Sequence, residues 1–326
     1  MRLLITGGSG FIGTNLVADA VLRGFSVLNL DKNPPFNSNH EKYWQELNIL
    51  EKENLIKAFQ LFQPDWVIHL AARVDCDENT TVEEGYKDNT EGTANVLSAV
   101  KSISSIKRIV IASTQFVFKS NKDLPKNDRD YRVHTVYGQS KVRTEQLTRE
   151  ASLNCIWTII RPTTIWGPWD LNYRQQFYKI LQKGLYVHPG KKLCYRSYGY
   201  VGNLIFQLQS LLEADPIKVN KKVFYVGDRP INVLDWVNVF HVQLLKRKAR
   251  VVPSAFLQFI AGIGDIIGKI TGRRFFIDSS RFKSMKEEYP VPIEPTFKLL
   301  GESPYTLEEG VKQSLTWLNK HYYNSK

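Results

Sequence analysis

The run Gly7-Gly8-Ser9-Gly10-Phe11-Ile12-Gly13 constrains this chain more than any other feature. It follows a short apolar segment, Leu3 to Thr6, that reads as a buried strand. It opens a stretch of helical spacing, Phe11 to Arg23, that stops at Gly24. Glycines between a strand and a helix permit a tight turn and let backbone N–H groups approach a pyrophosphate. The helix N-terminus adds partial positive charge for that anion. The context the motif requires is present, so a dinucleotide is expected at Gly7, Gly10, Phe11, Ile12 and Gly13.

The next strand, Ser26 to Leu30, ends at Asp31, roughly 20 residues past the loop, where a carboxylate accepts hydrogen bonds from the adenosine ribose. A negative charge there repels the extra phosphate of NADP, so NAD is the expected cofactor. Lys32 follows directly and keeps NADP open.

Strand and helix alternate on through Asn54–Phe62, Trp66–Leu70, Thr90–Val100, Arg108–Ala112, Tyr137–Arg149 and Trp157–Ile160. Such alternation predicts an α/β fold with a doubly wound parallel sheet of the Rossmann type. The sequence places this dinucleotide-binding domain at residues 1–165, with 196–228 returning to it through a strand at Val223 to Val226. Residues 166–195 and 229–326 form a smaller, mainly helical C-terminal substrate lobe, loop-rich around Tyr289 to Pro295. A length of 326 residues suits one large domain or two closely joined ones.

The formal charge of +12 admits a polyanionic partner, but the basic residues are scattered apart from Lys246-Arg247-Lys248 and Arg273-Arg274. No nucleic-acid motif accompanies them. Three cysteines without metal-ligand spacing, Cys76, Cys155 and Cys194, argue for reduced thiols in a cytoplasmic protein and against a metal site. The N-terminal strand leaves no room for a signal peptide. The apolar stretch Ala255 to Ile267, interrupted by Gly262, Gly264 and Asp265, reads as too short and broken to span a bilayer, and is taken as a core helix of the small lobe.

Tyr137 and Lys141 lie four apart, on one face of a helix. An ammonium beside the phenol, together with the positive nicotinamide ring, favours the phenolate over a free tyrosine of pKa ~10. A phenol so tuned can exchange a hydroxyl proton while hydride moves at the adjacent carbon.

With these pieces on the page, the chain resembles the extended short-chain dehydrogenases/reductases, in their NAD-dependent epimerase/dehydratase branch. The resemblance rests on Gly7 to Gly13, His69-Leu70-Ala71-Ala72, Asn89-Thr90-Glu91-Gly92-Thr93, Ser113-Thr114 and Tyr137/Lys141, and runs to Tyr305-Thr306-Leu307-Glu308-Glu309-Gly310. It implies that Thr114 hydrogen-bonds the reacting oxygen beside Tyr137, and that Leu70, Ala71, Ala72 and Asn89 border the cofactor. It also implies that Lys141 holds the nicotinamide ribose. Asn48-Ile49 stands where family members often carry an aspartate and an apolar residue beside the adenine.

Sugar 4,6-dehydratases of this family carry an aspartate–glutamate pair after the threonine. Gln115-Phe116 stands there instead, and neither transfers protons at neutral pH, so that elimination is not expected. Thr164 occupies a position where sugar epimerases often have asparagine. Arg196 looks like the arginine that approaches a substrate nucleotide, and Arg174 is a further candidate. The implied function is epimerisation or keto-reduction of a nucleotide-linked sugar in surface polysaccharide synthesis. Two alternatives stay open. One is a 3β-hydroxysteroid or sterol-like alcohol dehydrogenase, suggested by the apolar Pro253–Arg274 stretch; the other is a non-catalytic dinucleotide-binding protein. Relatives are often homodimers through a four-helix contact, which Thr90–Val100 and Tyr137–Arg149 are placed to supply.

Overall fold

Several of the strands are unbroken apolar runs, a composition that suits a strand covered on both faces. The computed structural model, which describes residues 1–119, 123–171, 175–272 and 277–323, bears this out. Strands β1 (Arg2–Thr6), β2 (Ser26–Asp31), β3 (Trp44–Glu46), β4 (Trp66–His69), β5 (Arg108–Ala112) and β6 (Ile156–Pro162) join a seventh, Lys222–Val226. All neighbours pair in parallel, in the spatial order Lys222–Val226, β6, β5, β4, β1, β2, β3.

Alternate side chains of each strand feed two separate cores. Leu3, Ile5, Ile68, Val110 and Ile160 pack with Leu16 and Val17 of helix α1 (Phe11–Leu22) and with Leu204 and Leu208 of helix Val201–Glu213. Leu4, Val67, Ile109, Ile111 and Ile159 pack with Leu55 and Phe59 of helix α2 (Lys52–Phe62). Val96 and Val100 complete that second core. They belong to helix α4 (Glu91–Lys101), which follows the short helix α3 (Val82–Gly85). The sheet is thus wound on both faces, and the chain's direction of travel reverses between β1 and β4, where such sheets place their ligands.

Edge strand β3 has no clear sequence signal; it is three residues long, and the Trp44 indole donates to the Asp31 carbonyl at 2.9 Å. A larger departure concerns the apolar stretch near residue 260. It forms one continuous helix, Ser254–Thr271, which Gly262, Gly264 and Asp265 do not break. A glycine inside a helix costs only about 1 kcal/mol, too little to interrupt eighteen residues held by packing. Nor is it a core helix: only Leu257, Ala261 and Gly264 are buried. By length and composition alone this helix is long and apolar enough to cross a membrane.

Candidate active site

The glycine loop shows which of its residues serve the fold and which do not. A β-carbon on Gly13 would stand 2.3 Å from the Gly7 carbonyl oxygen, and one on Gly7 would stand 2.5 Å from the Ala71 nitrogen. These two glycines let the loop fold back under helix α1 and against the end of β4. Gly10 is different. Its backbone is extended rather than left-handed, and the nearest atom to an added β-carbon is an ordinary 3.5 Å away. The protein itself has no need of glycine there, so the open space beside Gly10 suits a ligand. Gly10 also caps helix α1 without any side-chain hydrogen bond, leaving the first-turn N–H groups for an anion.

Asp31 lies beside this space. One carboxylate oxygen accepts from the Ser9 N–H at 3.1 Å and the other from the Asn33 N–H at 3.0 Å. Burial raises its pKa, against the pull of these bonds and of Lys32. The Lys32 ammonium is paired with Asp88 at 2.7 Å, which turns it away from the role of phosphate partner that kept NADP open. Lys32, Leu47 and Asn48 line a depression next to Asp31. Ile49 is buried and packs against Gly92, so its side chain belongs to the core. Leu70, Ala71 and Ala72 follow β4 with part-exposed side chains beside the loop.

Asn89 is a joint between segments of the protein. Its amide nitrogen donates to the Arg73 carbonyl (3.0 Å) and to the Ser140 hydroxyl (2.8 Å), and its oxygen accepts from the Arg73 N–H at 2.8 Å. Both donor hydrogens are used inside the protein, so Asn89 ties the segment after β4 to the helix that carries Tyr137.

That helix, α5 (Val136–Glu150), starts at Thr135, whose hydroxyl accepts from the Gly138 N–H at 2.9 Å. A β-carbon on Gly138 would sit 2.6 Å from the Phe116 carbonyl oxygen, so glycine here lets α5 press against the turn after β5. This contact brings Tyr137 to Thr114. Tyr137 is 8% exposed and Lys141 2%. Burial pushes the Tyr137 phenol well above its ordinary value, and a hydrogen bond with Thr114 pulls the other way. The expected phenolate is therefore not supplied by the protein alone. Burial also lowers Lys141, to about 8, despite Glu145 nearby. Lys141 has no ion pair among the described residues. A buried ammonium without an ion pair among the described residues suits a ribose hydroxyl as partner.

Behind Lys141 stands a buried network that sequence reasoning missed. Glu145 accepts from Arg161 through both oxygens at 2.8 Å, from the Ser113 hydroxyl at 2.6 Å and from the Tyr131 hydroxyl at 2.9 Å. The signal was present: Tyr137, Lys141 and Glu145 repeat every four residues along one helix face. Tyr86 and Tyr289 were also missed. Tyr86 is wholly buried, with its ring 6.2 Å from that of Tyr137. The Tyr289 hydroxyl donates to the Phe118 carbonyl at 2.5 Å, and its ring meets Phe116 edge-on, 6.0 Å between centroids. Phe116 in turn packs edge-on against Tyr137. Tyr289 sits in an irregular segment where no periodicity marks it.

The Thr164 hydroxyl accepts from the Gln115 amide at 3.0 Å, close to the turn after β5. Arg196 donates from Nε to the Glu287 carbonyl at 2.6 Å, next to Tyr289. Arg174 lies outside the described residues.

The profile of the NAD dependent epimerase/dehydratase family matches residues 3–225. The chain belongs to this family. It is an NAD-dependent enzyme of the extended short-chain dehydrogenase/reductase type, and NAD is its cofactor. Among curated relatives, the chain is 28% identical to the N-acetyl-alpha-D-glucosaminyl-diphospho-ditrans,octacis-undecaprenol 4-epimerase of Escherichia coli O157:H7, over 97% of this chain and 95% of that one. It is 30% identical to a 3-beta-hydroxysteroid dehydrogenase of Mycolicibacterium neoaurum, but over only 63% of this chain and 58% of that one. The UDP-glucose 4-epimerase structure from Thermotoga maritima superposes with a TM-score of 0.74 at 21% identity, covering 98% of this family member and 99% of the other chain, and shows that the two share a fold.

Proposed function

We propose that this enzyme is a 4-epimerase of a hexose held through a diphosphate, as in a nucleotide sugar, and serves surface polysaccharide synthesis. The observation that carries this reading is the single phenol of Tyr137 set against Thr114, with Gln115 and Phe116 in the places where a dehydratase needs an acid and a base. Epimerisation at one carbon requires one proton to leave a hydroxyl and one to return to the same oxygen. One phenol can serve both steps. NAD, held by the glycine loop and Asp31, would supply the hydride acceptor and donor that inversion at that carbon needs. Thr114 holds the reacting oxygen, Tyr137 takes and restores its proton, and Lys141 anchors the ribose and favours the phenolate. Arg196, with Thr164 beside the turn, is assigned to the diphosphate side of the substrate. The end-to-end likeness to a 4-epimerase supports this over sterol oxidation, whose relative matches only part of the chain.

The test is to incubate the purified enzyme, without added cofactor, with UDP-glucose, UDP-N-acetylglucosamine and a polyprenyl-diphosphate-linked N-acetylglucosamine, following C4 configuration by NMR. A mixture of C4 epimers from at least one sugar, with no net build-up of reduced nicotinamide, is expected. Stoichiometric NADH from a steroid alcohol, and no epimer from any sugar, would refute the proposal.

A further inference from the structure

Helix Ser254–Thr271 leaves Phe256, Phe259, Ile263, Ile266 and Ile270 exposed, by 55%, 69%, 41%, 60% and 78%. Their spacing of three and four residues sets all five on one stripe, about 20 Å long at 1.5 Å per residue. The buried positions Leu257, Ala261 and Gly264 lie on the opposite side of the helix. Leu257 and Ala261 seat it on Ile277, Phe282, Val187 and Val252. Asp265 fixes it further, accepting from the Ser279 N–H at 3.1 Å and from the Ser279 hydroxyl at 2.5 Å. At its start, the Lys286 ammonium donates to the Ser254 hydroxyl at 3.0 Å. A helix bound along one whole face cannot cross a bilayer. It lies flat, with its apolar stripe outward.

The charge around it is equally uneven. Between Lys246 and Lys286 the sequence holds ten lysines and arginines against two acids, Asp265 and Asp278, which makes +8 of the chain's total of +12. An apolar stripe set in a basic segment is the pattern of a helix that rests in the headgroup region of an anionic bilayer. A second copy of this chain fits the stripe poorly, because two such segments would bring like charges together.

We infer that the helix Ser254–Thr271 docks this enzyme on an anionic lipid surface, with the stripe from Phe256 to Ile270 inserted at the interface. Docking does not depend on the reaction assigned above. It does bear on the active site, because the chain passes from this layer to the pocket wall within a few residues. After the short helix Ser279–Ser284 come Glu287, whose carbonyl holds Arg196, and Tyr289, which packs on Phe116 beside Tyr137. The residues that hold Arg196 and pack on Phe116 therefore follow the docking layer within a few positions of the chain.

The test is co-sedimentation of the full-length enzyme with vesicles of phosphatidylglycerol and phosphatidylcholine, and with phosphatidylcholine alone. Binding to the anionic vesicles is expected, weakened by about tenfold or more in high salt or without phosphatidylglycerol. The double variant Phe259→Ser/Ile266→Ser changes exposed residues only and is expected to lose about tenfold or more in vesicle affinity. Lys246→Glu/Arg247→Glu/Lys248→Glu tests the charge separately. NAD titration of each variant confirms an intact fold. No sedimentation with anionic vesicles would overturn the inference, as would unchanged binding by the stripe variant. So would a concentration-dependent dimer that the stripe variant abolishes.

Discussion

Replacing Lys141 by methionine should make the cofactor-free enzyme more stable while disabling it. Lys141 is buried, and its pKa falls from 10.5 to about 8 because burial penalises the ammonium. At neutral pH both the folded and unfolded chains carry the proton, so the folded state bears the full penalty. The gap in pKa corresponds to about 3 kcal/mol. Methionine has a similar length, needs no partner and fills the same space. At about 2 °C per kcal/mol for a chain of this size, the variant should melt about 6 °C higher at neutral pH. The sign of the pH dependence follows from the same numbers. Between pH 8 and 10.5 the unfolded chain holds a proton that the folded one has lost, so wild-type stability rises with pH through that window. The advantage of Lys141→Met should shrink over the same range and vanish above it. The assay is thermal melting of NAD-stripped protein across a pH series, with NAD titration and turnover alongside. A variant that melts lower than wild type at neutral pH, or an advantage that does not change with pH, would refute this reasoning. NAD affinity and turnover should both fall in either case, since the same ammonium is assigned to the ribose and to the phenolate.

Three further outcomes are expected. Gly10→Val should fold, because an added β-carbon there meets only an ordinary contact, but should lose NAD affinity by titration; Gly13→Ala, whose methyl group collides with the Gly7 carbonyl, should instead lower the melting temperature. Asp31→Ala should weaken NAD and narrow or reverse the preference over NADP, and an unchanged affinity ratio would remove Asp31 from that role. Tyr137→Phe should keep fold and NAD affinity yet lose on the order of 10²-fold or more in turnover, measured on whichever sugar the enzyme converts.

Much of this was legible in the residues because periodicity and local turn chemistry act over short distances. The strands of the sheet and the helices between them follow from apolar runs and helical spacing, and the glycine loop names its own context. Thr114 and Tyr137 could be paired in advance because the resemblance to the extended short-chain dehydrogenases/reductases implies it. What stayed hidden depends on contacts across long separations. That Asn89 is consumed by Arg73 and Ser140 cannot be read from its neighbours in sequence. Tyr289 reaches the pocket from 171 residues beyond Phe118. The outward face of Ser254–Thr271 was misread because apolar residues at helical spacing look the same whether they cover a core or are left bare; only the packing of Leu257 and Ala261 says which side is which.

Asn89 also changes how sequence drift in this enzyme should be interpreted. The Asn89 side-chain amide joins the backbone at Arg73 to Ser140, and the Asn89 backbone carbonyl accepts from the Thr144 hydroxyl at 2.6 Å and the Thr93 hydroxyl at 2.9 Å. Three segments of the chain, at Arg73, at Asn89 with Thr93, and at Ser140 with Thr144, share one joint. Substitutions at any of them are epistatic with the others, since a change at one resets the geometry available to the rest. A paralogue that keeps the glycine loop, Thr114, Tyr137 and Lys141 but has lost this joint would pass every motif search. Its α5 would no longer be registered against the end of β4, and it would turn over poorly with all its reacting groups in place.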